Sequence, residues 1–240
     1  MATFTLEIVQ AVSDWQRGGD HNTKVKRGAA LKKACAGLPS SFCTWDGPCY
    51  RQEAHKKDRV WQLLADNRLP ETTAAWTTDL GIAKTFKGGV PPEGLRGVIF
   101  KLHPPAASVV VNLSALYTDA DFHDACERHR GQIPYYGDGI GRYGDSQKEV
   151  VLEIASLDQA SIHAYGGYSS SREDLAELYF GRVPSDDDLA AFDQLCVQAN
   201  VGAGAWWLTE TGTQAVLKRM EPHVARLRTQ RQATTAAPAR

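Results

Sequence analysis

The apolar residues of the first forty positions recur every three or four residues, in two runs separated by a pair of glycines. The run over residues 3–17 has hydroxyl groups at Thr3 and Thr5 that can cap a helix. The run over residues 22–36 carries its cations on the face opposite its apolar residues. We therefore expect two amphipathic helices in residues 1–40.

After residue 40 the pattern changes to short runs of β-branched and aromatic residues that are separated by turn-forming residues. Such runs predict strands, which we place at residues 42–50, 72–78, 97–102, 108–113, 147–154 and 161–165. Between them, helical spacing predicts helices at residues 56–65, 80–86 and 119–130.

Helical patterns return in the last third of the chain. Residues 166–171 are typical of a linker, and residues 185–199 and 211–228 of helices. Residues 229–240 are poor in apolar side chains and predict a disordered tail. Because helices come first, then mostly strands, then helices again, the order favours an α+β fold over a parallel α/β sheet.

The length of 240 residues fits one large domain or two small ones. We expect residues 1–228 to form a single domain, with a helical N-terminal segment (1–40), a β core (41–165) and a helical C-terminal segment (166–228). The net charge of −1 gives no general attraction to nucleic acid or to an anionic membrane.

The cysteine count and the absence of targeting patterns in the sequence indicate a cellular compartment. Five cysteines, an odd number without metal-site spacing, favour free thiols in a reducing compartment. The sequence has no apolar run long enough to cross a membrane and no secretory signal pattern. We expect a cytoplasmic protein, or one delivered into the cytoplasm of a target cell without a cleaved signal peptide, and no membrane partner.

The first candidate for chemistry is the polar entrance to the strand at residues 147–154. Gln147 and Glu149 are two positions apart, so in an extended strand their side chains share one face. A carboxylate at the mouth of an apolar strand is costly to bury unless it has a partner or a task. Taken alone, the pair is better explained by an edge strand with solvated polar residues at its entrance.

Two motifs upstream favour a functional site over a solvated edge strand. Tyr50-Arg51 ends an early strand, and Trp76-Thr77-Thr78-Asp79 leads into a helix that contains Ala83 and Phe86. A loop over residues 131–146, with five glycines and three tyrosines, then leads to Gln147-Lys148-Glu149. A loop of this length inside a domain is more often functional than not.

In this order the motifs resemble the mono-ADP-ribosyltransferase toxin superfamily, in the branch with an Arg…Ser-Thr-Ser…Gln/Glu-x-Glu signature. The resemblance covers residues 41–165 and implies a split antiparallel β-sheet core with flanking helices and NAD in the cleft. Two positions depart from the pattern: threonines replace the Ser-Thr-Ser, and Gln52 follows Arg51 where glycine is frequent.

The resemblance assigns roles that the chemistry of each side chain suits. Arg51 offers a fork of donors to the phosphates of NAD. Thr77 or Thr78 orders the site, and which of them does so stays open. Glu149 stabilises the oxocarbenium-like ribose that forms when nicotinamide leaves. Tyr143 can stack on a ring of NAD or of the acceptor.

The acceptor is the less defined partner. Gln147, a neutral amide, cannot deprotonate a guanidinium, so arginine is disfavoured; by resemblance, an amide-bearing protein residue or a nucleobase of RNA or DNA receives the ADP-ribose. Tyr135 and Tyr136 of the preceding loop are expected to contact it. The basic second helix and the arginine-rich C-terminus tilt the choice slightly toward nucleic acid.

The sequence thus predicts an NAD-dependent mono-ADP-ribosyltransferase of toxin or effector type, a glycosyltransferase, with an antitoxin or immunity protein as a further partner. Two alternatives stay open: an NAD glycohydrolase, in which water is the acceptor, and a non-catalytic nucleic-acid-binding module. We expect no metal site, because His123 and His129 lie six positions apart and do not share a helix face.

Overall fold

A computed structural model describes residues 3–199 and 201–236. Over these residues the fold is α+β, with a seven-stranded antiparallel sheet and flanking helices. The strands are β1 (Cys49–Lys56), β2 (Thr73–Thr77), β3 (Leu95–Leu102), β4 (Val109–Asn112), β5 (Glu149–Glu153), β6 (Ser161–Tyr168) and β7 (Ala205–Trp207). The helices are α1 (Leu6–Gln16), α2 (His21–Cys35), α3 (Lys57–Asp66), α4 (Leu80–Thr85), α5 (Leu113–Thr118), α6 (Ala120–His129), α7 (Ile140–Tyr143), α8 (Arg172–Phe180), α9 (Asp186–Ala199) and α10 (Glu210–Ala236).

The strand order in the sheet is β4-β5-β2-β1-β3-β6-β7. By contacts the chain divides into two compact units. The first holds the chain up to Arg51, Arg68–Ile82 and Leu102–Ala160. The second holds Gln52–Asn67, Ala83–Lys101 and the chain from Ser161 onward.

The first unit is built on the apolar faces of its N-terminal helices. The Thr5 hydroxyl accepts a hydrogen bond from the Ile8 N–H and so caps α1. Below this cap, α1 and α2 bury their apolar residues in one core with α5, α6 and the strands β4 and β5. The fully buried members include Val9, Val12 and Leu31 from the helices.

The second unit is held together by contacts between residues distant in sequence. Trp61 of α3 stacks on Tyr165 of β6 with ring centroids 5.4 Å apart. The backbone N–H of Tyr165 donates to the buried hydroxyl of Thr213 in α10, at 3.1 Å. These contacts fix α10 against the strand and α3.

The structure confirms most predicted elements and differs from the prediction in several places. β1 continues past Arg51, the strand before the predicted linker extends to Tyr168, and α8 and β7 were not predicted. The strand continues through Gly166 because this residue pairs with both β3 and β7. Glycine is required there, since a Cβ would sit 2.6 Å from the carbonyl oxygen of Trp206.

A further difference concerns the predicted disordered tail, residues 229–240. Helix α10 runs on to Ala236, so that prediction is wrong for residues 229–236, and residues 237–240 lie outside the described part. The extension has an anchor: the Arg231 Nε lies 3.0 Å from a carboxylate oxygen of Asp66, whose side chain is 7% exposed. This ion pair joins α10 to the end of α3.

Candidate active site

The strand register brings the three sequence motifs side by side within the first unit. Tyr50 of β1 lies opposite Thr77 of β2, and Thr77 lies opposite Glu149 of β5. Directly opposed residues of antiparallel strands point to the same face, so Thr77 and Glu149 are neighbours on one face. Arg51 follows Tyr50 in β1, and its positive charge acts on the carboxyl group of Glu149.

Glu149 is the buried acid of the site, with 4% of its surface exposed. One carboxylate oxygen, Oε1, accepts a hydrogen bond from the indole Nε1–H of Trp15 at 2.5 Å. Burial raises the pKa of Glu149 to about 7, against the smaller lowering effects of the Trp15 hydrogen bond and the positive charge of Arg51. The carboxyl group therefore titrates near neutral pH.

Arg51 is held by groups of its own unit. Its Nη1 donates to the carbonyl oxygen of Ala75 at 2.7 Å, and its Nη2 lies 3.8 Å from the Glu71 carboxylate. The other oxygen of Glu71 lies 3.2 Å from Nδ1 of His21. Glu71 is buried, so this chain of contacts restricts the orientation of the guanidinium.

The two candidate threonines, Thr77 and Thr78, make different hydrogen bonds. The Thr77 hydroxyl accepts from the backbone N–H of Asp79 at 3.2 Å. Thr78 donates to the carbonyl oxygen of Lys148 through its backbone N–H at 2.9 Å and its hydroxyl at 3.4 Å. Thr77 thus lies opposite Glu149, whereas Thr78 is hydrogen-bonded to Lys148, the residue before Glu149.

Gln147 lies in the turn before β5, not in the strand. Lys148 has φ = +45°, in the left-handed region, so the chain is not extended between Gln147 and Glu149. The prediction that Gln147 and Glu149 share one face of a strand is therefore wrong, because the strand begins only at Glu149. The role of Gln147 in acceptor selection stays a prediction.

The predicted loop over residues 131–146 is partly helical: it contains α7 and 3₁₀ turns at Arg130–Gln132 and Tyr136–Asp138. Tyr135 is 65% exposed. Tyr136 packs partly against the apolar core, and Tyr143, the last residue of α7, is half-buried. Of the three tyrosines, Tyr135 is the most exposed to solvent.

Each of these tyrosines has an arginine near its ring. The guanidinium carbon of Arg17 lies 4.3 Å from the ring centroid of Tyr135. The corresponding distances are 5.5 Å from Arg130 to Tyr136 and 5.2 Å from Arg142 to Tyr143. Cation–π contacts of this kind hold the rings in place and add positive charge beside them.

Sequence reasoning missed the contribution of α1. Trp15 belongs to the apolar spacing of the run over residues 3–17, and nothing in that spacing indicates that the indole N–H meets a carboxylate. The next residue, Gln16, is also part of the site: its amide Nε2 donates to the carbonyl oxygen of Gly144 at 2.9 Å. Both contacts join residues more than a hundred positions apart, which no local pattern reports.

Comparison with protein-family models, with curated proteins and with solved structures finds no match for this chain. In the part of the chain that the structure describes, no three His, Cys, Asp or Glu side chains are grouped to hold a metal ion. None of the described helices is long and apolar enough to cross a membrane.

Proposed function

We propose that this protein is an NAD-dependent mono-ADP-ribosyltransferase of toxin or effector type. The observation that carries the proposal is the register of β1, β2 and β5, in which Tyr50-Arg51, Thr77 and Glu149 become neighbours. The first and last of these motifs are separated by most of the β core in sequence, and the sheet brings them together beside the buried carboxylate of Glu149.

Glu149 is suited to stabilise a positively charged ribose. When the bond between nicotinamide and C1′ of the ribose breaks, the bonding electrons leave with nicotinamide and positive charge develops on the sugar. An anionic carboxylate in a site of low polarity stabilises that charge more than water does. Because burial raises the pKa of Glu149 to about 7, the anionic fraction, and with it the rate, increases as the pH rises through this value.

Arg51 supplies the phosphate-binding group. Its guanidinium is oriented by the Ala75 carbonyl oxygen and the Glu71 carboxylate. A guanidinium held in a fixed plane binds phosphate oxygens with less loss of conformational entropy than a mobile one. The residues around Glu149 therefore match the charges of NAD, with an anion for the reacting ribose and a cation for the diphosphate.

The acceptor completes the reaction by bonding to C1′ and losing a proton. Gln147 and Tyr135 lie on the segment that leads to Glu149, and both have accessible surface. The neutral amide of Gln147 favours an amide-bearing protein residue or a nucleobase and disfavours arginine. Water as acceptor would make the protein an NAD glycohydrolase instead.

The coarse architecture is compatible with this proposal. The described strand pairs β1–β2, β2–β5, β4–β5, β3–β6 and β6–β7 are antiparallel. The finer assignment, an ADP-ribosyltransferase-like split sheet, belongs to the proposal, as do a cytoplasmic site of action and an antitoxin or immunity protein that covers the site.

The test is incubation of the protein with NAD carrying a label in its adenosine half, with fractionated protein, RNA and DNA as acceptors. We expect free nicotinamide and label on one acceptor fraction. Nicotinamide without a labelled macromolecule would indicate a glycohydrolase. Retention of nucleic acid without NAD consumption would indicate a binding module and overturn the proposal.

A further inference from the structure

We infer that Trp15 is a positioning residue for the reaction, which it serves by orienting the carboxylate of Glu149 through its indole N–H. This inference rests on the proposed function for its catalytic consequence. Its structural basis is independent of that function, since the contact is a direct hydrogen bond of 2.5 Å from Nε1 to Oε1. A hydrogen bond to an ionised acceptor is among the stronger ones that proteins make.

The indole is itself held in place. A Cβ added to Gly28 of α2 would lie 3.3 Å from Cζ3 of Trp15 and 3.1 Å from Cβ of Thr73 in β2. The indole ring of Trp15 therefore packs against Gly28 of α2, where a larger residue would press on the ring. An indole has one N–H and a planar ring, so fixing the ring also fixes the direction of its donor.

The same turn of α1 fastens the loop that leads to Glu149. Gln16 is buried, donates to the carbonyl oxygen of Gly144 at 2.9 Å and accepts from the hydroxyl of Tyr117 at 2.8 Å. Gly144 has φ = +48°, a conformation that glycine adopts without strain. Trp15 and Gln16, which are successive residues of α1, thus hydrogen-bond the Glu149 carboxylate and the loop that precedes it.

Besides Trp15, the charged or titratable groups to consider for the ionisation of Glu149 are Arg51, Tyr117 and Lys148. Arg51 approaches from β1 and its charge lowers the pKa of the carboxyl group. Tyr117 approaches from α5, and burial raises the pKa of its hydroxyl far above neutral, so it stays uncharged in the working range. The adjacent Lys148 ammonium pairs with Asp145. Removal of the indole donor should therefore change the titration of Glu149 without being masked by these neighbours.

The kinetic test compares Trp15→Phe with Trp45→Phe, a matched control whose indole donates to the carbonyl oxygen of Pro48 in the same unit. For Trp15→Phe we expect nicotinamide release to slow about 10- to 100-fold in kcat, with a smaller change in KM for NAD. The midpoint of its pH–rate profile should move up by about one pH unit, because a hydrogen bond to the anion is lost. Trp45→Phe should match the natural protein.

An unshifted pH midpoint with unchanged kcat would overturn the inference. So would a faster Trp15→Phe, because the indole would then merely cover the site. A second measurement does not depend on activity or on the folding of that variant. In the natural protein, the ¹⁵N-indole resonance of Trp15 should shift with pH with a midpoint near 7, and in Glu149→Gln it should not.

A Trp15 resonance that is independent of pH in the natural protein would contradict the contact itself. A normal titration together with no consumption of NAD would refute the proposed function and leave the positioning of the carboxylate intact. The two failures are therefore distinguishable in the same preparation.

Discussion

Glu149 is a buried carboxylic acid whose ionisation lowers the stability of the fold, and the same burial underlies the catalytic role proposed for it. Its carboxyl group is buried, and its pKa is raised to about 7 from the ordinary value of 4.5. Between these two values the folded protein keeps a proton that the unfolded chain has released. The protonated carboxyl therefore stabilises the fold in acid, and this contribution is lost as the pH rises through 7.

The first prediction concerns Glu149→Gln, which keeps the size of the side chain and removes the charge. At pH 8 we expect its free energy of unfolding to exceed that of the natural protein by about 1–3 kcal/mol, since a shift of this size corresponds to about 3 kcal/mol at most. At pH 4.5 the difference should nearly vanish. Urea unfolding at both pH values measures it.

A matched control is Glu153→Gln at the other end of β5, where the carboxylate is 42% exposed and pairs with Lys32. An exposed pair contributes at most about 1 kcal/mol, so this variant should not gain stability at pH 8. Lower stability of Glu149→Gln than of the natural protein at pH 8 would contradict the account of the buried carboxyl.

The second prediction concerns Arg51, whose guanidinium contacts two groups at once. Arg51→Lys keeps the charge but loses the planar fork. We expect KM for NAD to rise about tenfold or more, with a smaller change in kcat, because the lost contacts serve binding. Arg128→Lys, an exposed substitution on α6, should leave both constants unchanged. Equal kinetics for the two variants would exclude Arg51 from the NAD site.

At the scale of elements, the site depends on how closely the loop before β5 approaches α1. A Cβ added at Gly139 would lie 2.3 Å from the carbonyl oxygen of Ser13, which is far inside contact distance. At Gly137, two residues earlier in the same loop, an added Cβ would meet no atom within 4 Å. The pair offers a direct comparison between a glycine that the packing requires and one that it does not.

The third prediction is that Gly139→Ala lowers the free energy of unfolding by about 1–3 kcal/mol, because loop and helix must separate to admit the methyl group. Gly137→Ala should stay within about 0.5 kcal/mol of the natural protein. Thermal unfolding of both variants measures the difference. If the two variants melt together, the loop does not pack against α1 as described.

Elements with a regular apolar face were predictable, and those shaped by distant contacts were not. Helices α1, α2 and α3 follow from apolar spacing because each packs one face against a core. Helix α8 lacked that signal: two of its large apolar residues, Leu178 and Tyr179, are 81% and 61% exposed. A pattern that reports burial cannot reveal a helix whose apolar side chains lie outside.

The entry to β5 shows a different limit. The β-branched run predicts the strand, but the left-handed backbone at Lys148 separates Gln147 from it. A single residue with positive φ leaves no trace in composition when it is not glycine or asparagine. The identities of the polar residues were therefore informative, whereas their relative orientation required the structure.

At the scale of the whole molecule, the candidate site lies within one of the two compact units. Arg51, Thr77, Glu149 and Trp15 all belong to the first unit. The sequence could propose three of these residues from the order of their motifs. It could not propose Trp15 or the buried Glu71, because helical spacing and strand patterns identify which residues are inside but not which polar atoms meet there.

The central claim is that the buried carboxylate of Glu149 drives cleavage of NAD, and nicotinamide release at pH 8 tests it most directly. The natural protein should release nicotinamide from NAD, and Glu149→Gln should release about a thousandfold less while unfolding at a higher urea concentration. Loss of activity in a variant that is more stable cannot be attributed to misfolding. A folded Glu149→Gln that matches the natural rate, or a natural protein that leaves NAD intact, would contradict the claim.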